Sequence, residues 1–122
     1  MKKIKLFEED IKKALENPEK GYKKLGRAKN YILHEYRKTL RDLETDSLVI
    51  DEILWEENYQ TALDYMREAG LKEFIITNKS TELMDLLHFF TSQGCQLKGA
   101  ETVERKVDYP WGKDIKGLRL VI

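Results

Sequence analysis

The chain has 122 residues, 41% of them apolar and 36% charged, with Lys plus Arg and Asp plus Glu equal at 22 each. A chain of this length buries roughly two-thirds of its unfolded surface, enough for one core and too little for two, so a single domain is expected, mainly helical over 1–70 and β-α-β-β over 71–122. No apolar run approaches the ~20 residues of a membrane span, the charged opening MKKIKLFEEDIKKALEN is unlike a secretion signal, and Cys95 as the one cysteine excludes an internal disulfide and a cysteine-based zinc cluster.

Ile4, Phe7, Ile11, Ala14 and Leu15 recur at three- and four-residue steps, which predicts a short helix with those residues inward. Asn17 and Pro18 end it and can start the next, because Asn caps helices, Pro fits the first helical position and Glu19 suits the positive helix end. Tyr22, Leu25, Ala28, Ile32, Tyr36, Leu40 and Leu43 then form a stripe about six turns long, weakened early by Gly26. Ser47 to Ile50 reads either as a brief strand or as the approach to a helix. Trp55, Tyr59, Ala62, Leu63 and Met66 restore helical spacing, which places Trp55 in the core, and Gly70 with Leu71 closes that helix.

Phe74, Ile75 and Ile76 predict a buried strand. A helix with Leu83, Leu86, Leu87 and Phe90 inward follows, ending at Gly94. Cys95, Leu97, Val103, Val107 and Tyr109 share the odd-numbered face of an extended segment that Gly99 and Ala100 can bulge. The turn YPWGKD leads to a last strand in which Leu118, Leu120 and Ile122 alternate with Arg119. The expected fold is therefore α+β, with N-terminal helices packed on a small three-stranded mixed sheet: a parallel crossover, then a hairpin.

The charge is divided along the chain. Residues 1–41 hold 13 Lys or Arg and 6 Asp or Glu, a net +7, whereas residues 42–66 hold 8 acids and no base. Either the basic helices neutralise this acidic stretch within the fold, or it awaits a basic partner. The acidic candidates for partner binding are Asp42, Glu44, Asp46, Asp51, Glu52, Glu56 and Glu57, joined by Trp111, a turn residue that loops usually expose.

The polar corner Thr77–Thr81 lies where a strand hands over to a helix, a place that attracts anions, yet it lacks the glycines of phosphate-binding loops. Helix capping by Ser80 or Thr81 and a turn at Asn78 is the simpler account. Asp85 and His88 stand three apart on one helix with no nucleophile in a recognisable motif beside them, Cys95 reads as a small buried hydrophobe, and His34 and His88 have no metal-ligand spacing. No catalytic residue, metal or cofactor is expected, and the protein is read as a cytoplasmic non-enzyme.

Ala69-Gly70, Phe74, Ser80-Thr81, Leu86-Leu87 and the run Gly94, Cys95, Leu97, Gly99 resemble a pattern of small accessory proteins of plasmids and conjugative elements in Gram-positive bacteria. The resemblance spans Ala62 to Val103, about a third of the chain, and its motifs are structural. It implies a setting in which small non-enzymatic proteins bind and block host machinery, anti-CRISPR proteins being one such class. On that reading the carboxylates of residues 42–57 mimic nucleic acid and occupy the cationic channel of a Cas nuclease or its guide-RNA complex. The alternative is a DNA- or RNA-binding protein using Lys20, Lys23, Lys24, Arg27, Arg37, Lys38 and Arg41 on the long helix. A homo-oligomer joining acidic to basic faces is a third possibility.

Overall fold

The computed structural model describes residues 1–77, 80–109 and 112–122, with the backbone alone at 108, 109, 112 and 113. Helix α1 (Lys5–Glu16) and helix α2 (Pro18–Asp42) are separated by Asn17 alone. Gly21 brings them close, since a Cβ there would lie 2.6 Å from the Ala14 Cα. Phe7 is fully buried from α1, and its ring meets that of Tyr36 at 5.1 Å and that of Tyr65 at 5.0 Å. The Tyr36 hydroxyl donates to Glu8 Oε1 at 2.9 Å and accepts the Ile4 N–H at 2.9 Å, so the ring carries both packing and polar ties. Burying such a phenyl ring stabilises the fold by about 2–3 kcal/mol.

The stripe on α2 is only partly inward. Ala28, Ile32 and Tyr36 are buried, but Tyr22 is 41% exposed because the helix kinks at Gly26, whose φ of 82° takes it out of helical geometry. Leu15, expected inward, is also exposed, while Ala14 beside it is buried against α2.

Five strands form one sheet, not three, in the order β1-β4-β5-β3-β2. The additional strands are β1 (Leu43–Glu44) and β2 (Leu48–Ile50), too short to show a period. The others are β3 (Glu73–Ile76), β4 (Gln96–Tyr109) and β5 (Gly112–Val121). β4 and β5 make the expected hairpin; β3 and β4 run parallel, but β5 lies between them and pairs antiparallel with both. β2 pairs parallel with β3, connected through a 3-10 turn at Glu56–Asn58 and helix α3 (Tyr59–Glu68).

β1 and β2 sit at opposite ends of this order, yet residues 45–47 join them. The four-residue step from Glu44 to Leu48 reaches at most about 14 Å, so the sheet curls until its ends face each other. Leu43, Val49, Ile75, Val103 and Ile115, one from each strand, fill the inside of the curl. On the outer face Leu48, Ile50, Phe74, Ile76 and Leu120 pack with Ile32, Leu63, Met66, Leu86 and Phe90 from the helices. The second half of α2 lies along the seam between the two ends. Thr39 Oγ1 accepts the Val49 N–H at 3.2 Å on β2, and Lys106 Nζ from β4 donates to the Leu40 carbonyl at 2.6 Å.

Gly70 and Gly94, at φ 81° and 95°, end α3 and helix α4 (Leu83–Ser92) as expected. Leu71 N–H returns to the Met66 carbonyl and Cys95 N–H to that of Phe90. The α4 start differs from expectation. Its cap position is Glu82 with no side-chain bond, while Ser80 Oγ, two residues earlier, accepts the Glu82 N–H at 3.3 Å; Asn78 lies outside the described residues. Gly99 does mark a register shift, and the shift turns the odd-numbered face of β4 over. Val103 consequently points into the curl while Leu97 is exposed, and Val107, within a second irregularity between Glu104 and Tyr109, is exposed as well. Cys95 is buried, and burial raises its thiol pKa. No helix is long and apolar enough to cross a membrane among the described residues.

Candidate functional site

β2 runs out at Ile50 into an extended segment that α2 holds in place. Glu35 Oε1 accepts the N–H of Asp51 at 3.0 Å and of Glu52 at 2.6 Å, and the Tyr31 hydroxyl donates to the Glu52 carbonyl at 2.6 Å. Lys38 Nζ donates to Asp51 Oδ2 at 2.8 Å, and Asp51 Oδ1 accepts from the Thr77 hydroxyl at 2.6 Å. An extended chain alternates its side chains. Leu54 points inward and is buried, whereas Ile53 is 44% and Trp55 60% exposed.

This overturns the expectation that Trp55 is core. Helix α3 begins only at Tyr59, and Trp55, with φ −76° and ψ 144°, precedes the 3-10 turn, so the helical stripe does not extend back to it. A signal was present in the sequence: Glu56 and Glu57 suit the positive start of a helix, which puts Trp55 ahead of it. Beside Trp55 lies an open recess of about 590 Å³ lined by Arg27, Tyr31, His34, Ile53 and Asn58 among others.

The acidic candidates do not form one face, because the buried strand β2 divides them. Glu44 and Asp46 precede it; Asp51, Glu52, Glu56 and Glu57 follow. Much of their charge is met within the chain. Asp42 takes two hydrogen bonds from Arg41 at 2.8 and 3.0 Å, Asp46 accepts from Arg119 at 2.9 Å, and Glu52 lies 3.6 Å from Lys38 and 3.4 Å from His34. Hydrogen bonds from Arg41 and Arg119 hold the Asp42 and Asp46 carboxyls below their usual range. At Asp51 burial pushes the pKa up, but the bonds from Lys38 and Thr77 outweigh it, and the net direction is down. Glu44, Glu56 and Glu57 are exposed. Trp111 lies outside the described residues.

The basic candidates divide as well. Lys20, Lys23 and Lys24 are exposed before the Gly26 kink, while Arg27, Arg37, Lys38 and Arg41 follow it, with Arg41 three and four residues from Lys38 and Arg37 and so on the same side of the helix as both. Of these, Arg27 reaches the Trp55 recess. Lys38 is the main internal counter-charge of the acidic stretch: burial opposes its charge, yet its bond to Asp51 raises its pKa. Among the described residues, no three His, Cys, Asp or Glu side chains come together as metal ligands would.

Residues 31–120 match the family model described as "Domain of unknown function (DUF7698)". Searches of the curated proteins and of the solved structures gave no match.

Proposed function

The chain belongs to the DUF7698 family, and we propose that it is a non-enzymatic protein-binding protein whose contact surface is the segment Ile53–Glu57. One observation carries the reading: Ile53 and Trp55 are exposed on a segment that α2 pins in place. A large apolar side chain held rigidly in water loses little entropy on docking, and tryptophan leads the residue types that dominate binding energy at interfaces. Glu56 and Glu57 beside it favour a partner that surrounds an apolar hollow with Lys and Arg. A Cas-type nuclease, alone or with its guide RNA, is the partner class the sequence resemblance suggests, and an anti-CRISPR inhibitor is the corresponding role.

The test is a pull-down from a bacterial lysate containing a Cas nuclease and its guide RNA, with and without nuclease digestion. Capture of the nuclease is expected to survive digestion, and Trp55→Ala is expected to weaken it by about 2 kcal/mol or more, roughly thirtyfold. The unfolding midpoint of Trp55→Ala should stay close to that of the parent, since exposed sites usually shift stability by no more than about 0.5 kcal/mol. Undiminished capture by Trp55→Ala would sink the reading. Reversal of Glu56 and Glu57 to lysine is expected to slow association rather than abolish it.

A second reading has its own observation. Lys20, Lys23 and Lys24 are exposed together on the first part of α2, which suits phosphate contacts. Loss of all capture on digestion, with binding to DNA or RNA that falls steeply as salt is added, would favour it.

A further inference from the structure

Among the described residues, Glu35 is the one acid that is fully buried. Its two carboxyl oxygens have different surroundings. Oε1 accepts both backbone N–H groups that fix the start of the Trp55 segment, while Oε2 is buried with no hydrogen-bond partner. Beside it is a small, partly open cavity of about 90 Å³, lined by Thr39 and Asp42 of α2, Asp51 after β2, Arg105 of β4, and the apolar Val49 and Ile115.

We propose that Glu35 is a proton-operated latch on the segment 51–55: the segment stays closed over the carboxyl group while Glu35 is protonated and opens when it ionises. A protonated carboxyl keeps Oε1 as acceptor for the two N–H groups and buries no charge at Oε2. An ionised one leaves a buried charge with a bare oxygen, and the nearest route to water is to lift the segment that Oε1 holds.

The groups facing Glu35 are mixed. The Lys38 ammonium and the neutral Tyr31 hydroxyl, which also interacts with the Glu35 carboxyl, come from its own helix, Asp42 from the end of that helix, Asp51 and Glu52 from the segment, and Arg105 from β4. Lys38 is committed to Asp51. Burial is the largest influence and raises the Glu35 pKa above its ordinary 4.5, against the lowering effect of the two backbone bonds and Lys38. The closed form therefore binds the proton more tightly than an open, hydrated form, and raising the pH shifts the balance toward opening.

The latch stands on the geometry at Glu35; its effect on partner binding rests on the reading of Trp55 as the anchor, which the closed form presents rigidly, so capture should be stronger below the transition than at pH 7 and stronger at pH 7 in Glu35→Gln than in the parent. Its test uses the full chain carrying Trp111→Phe, which leaves Trp55 as the one tryptophan reporter. Trp55 emission without any partner should change as pH rises from 4 to 8, with a midpoint above that of an ordinary glutamate. Glu35→Gln, which keeps the acceptor and cannot ionise, should abolish the change. At pH 7 the Asp51 and Glu52 amides should exchange with solvent several-fold faster in the parent than in Glu35→Gln. A transition that persists in Glu35→Gln, or a flat profile in the parent, overturns the latch. A latch that works in a protein whose Trp55→Ala variant still captures its partner leaves the latch standing and removes only the docking reading.

Discussion

Arg119 gathers the charge at one end of the curled sheet. Its guanidinium donates to Glu101 at 2.6 and 2.8 Å, to Glu73 at 2.7 Å, to Asp46 at 2.9 Å and to the Ser47 hydroxyl at 2.9 Å, so it joins β5, β4, β3 and the β1–β2 link. The Glu101 hydrogen bonds raise its pKa most, against burial, and it stays charged at any working pH. Arg119 in turn lowers the Asp46 pKa, while Lys98 first and Arg119 second lower that of Glu73. Both carboxylates thus have folded pKa values below their ordinary 3.8 and 4.5. The stability they contribute is present above those ordinary values and is lost as pH falls through the lower folded ones. Arg119→Met should lower the urea midpoint at pH 7 and flatten its decline below about pH 4, measured by denaturation at a series of pH values. From sequence Arg119 read only as the polar partner in an alternating strand, because its four acceptors come from positions up to 73 residues away.

Helices were more legible than strands, for a physical reason. The stripes on α1, α2 and α3 repeat over several turns, and each glycine at a helix end signals a left-handed residue on its own. β1 and β2 have two and three residues, too few for a period, the bulge at Gly99 puts Leu97 on the opposite face from Val103, and a second irregularity between Glu104 and Tyr109 interrupts the alternation before Val107. Trp55 was misread because helical spacing continues past the real start of α3. Nor does spacing reveal how close α1 and α2 approach. Gly21→Ala puts a methyl group against the backbone of Ala14, which cannot yield as a side chain can. Despite the better helix propensity of alanine, this substitution should destabilise by about 1–3 kcal/mol in urea denaturation. A neutral or stabilising outcome would mean that the two helices shift apart freely.

For the whole molecule, the charge division seen along the chain has a spatial meaning. The acidic stretch wraps onto the basic helix that precedes it, and Lys38, Arg41 and His34 meet Asp51, Asp42 and Glu52. What composition could not show is that the same helix closes the sheet: outward it carries Arg27 and Arg37, while inward Thr39 holds Val49 and Glu35 holds Asp51 and Glu52 just beyond it. A strand at the border of a sheet ordinarily offers its backbone as a template to any other extended chain. Here both bordering strands are short, the 45–47 link keeps them facing one another, and Thr39 already occupies the Val49 N–H that a newcomer would seek. Each border therefore guards the other against strand addition. A single cut within 45–47 would release the two borders from one another at once and leave both open to strand addition.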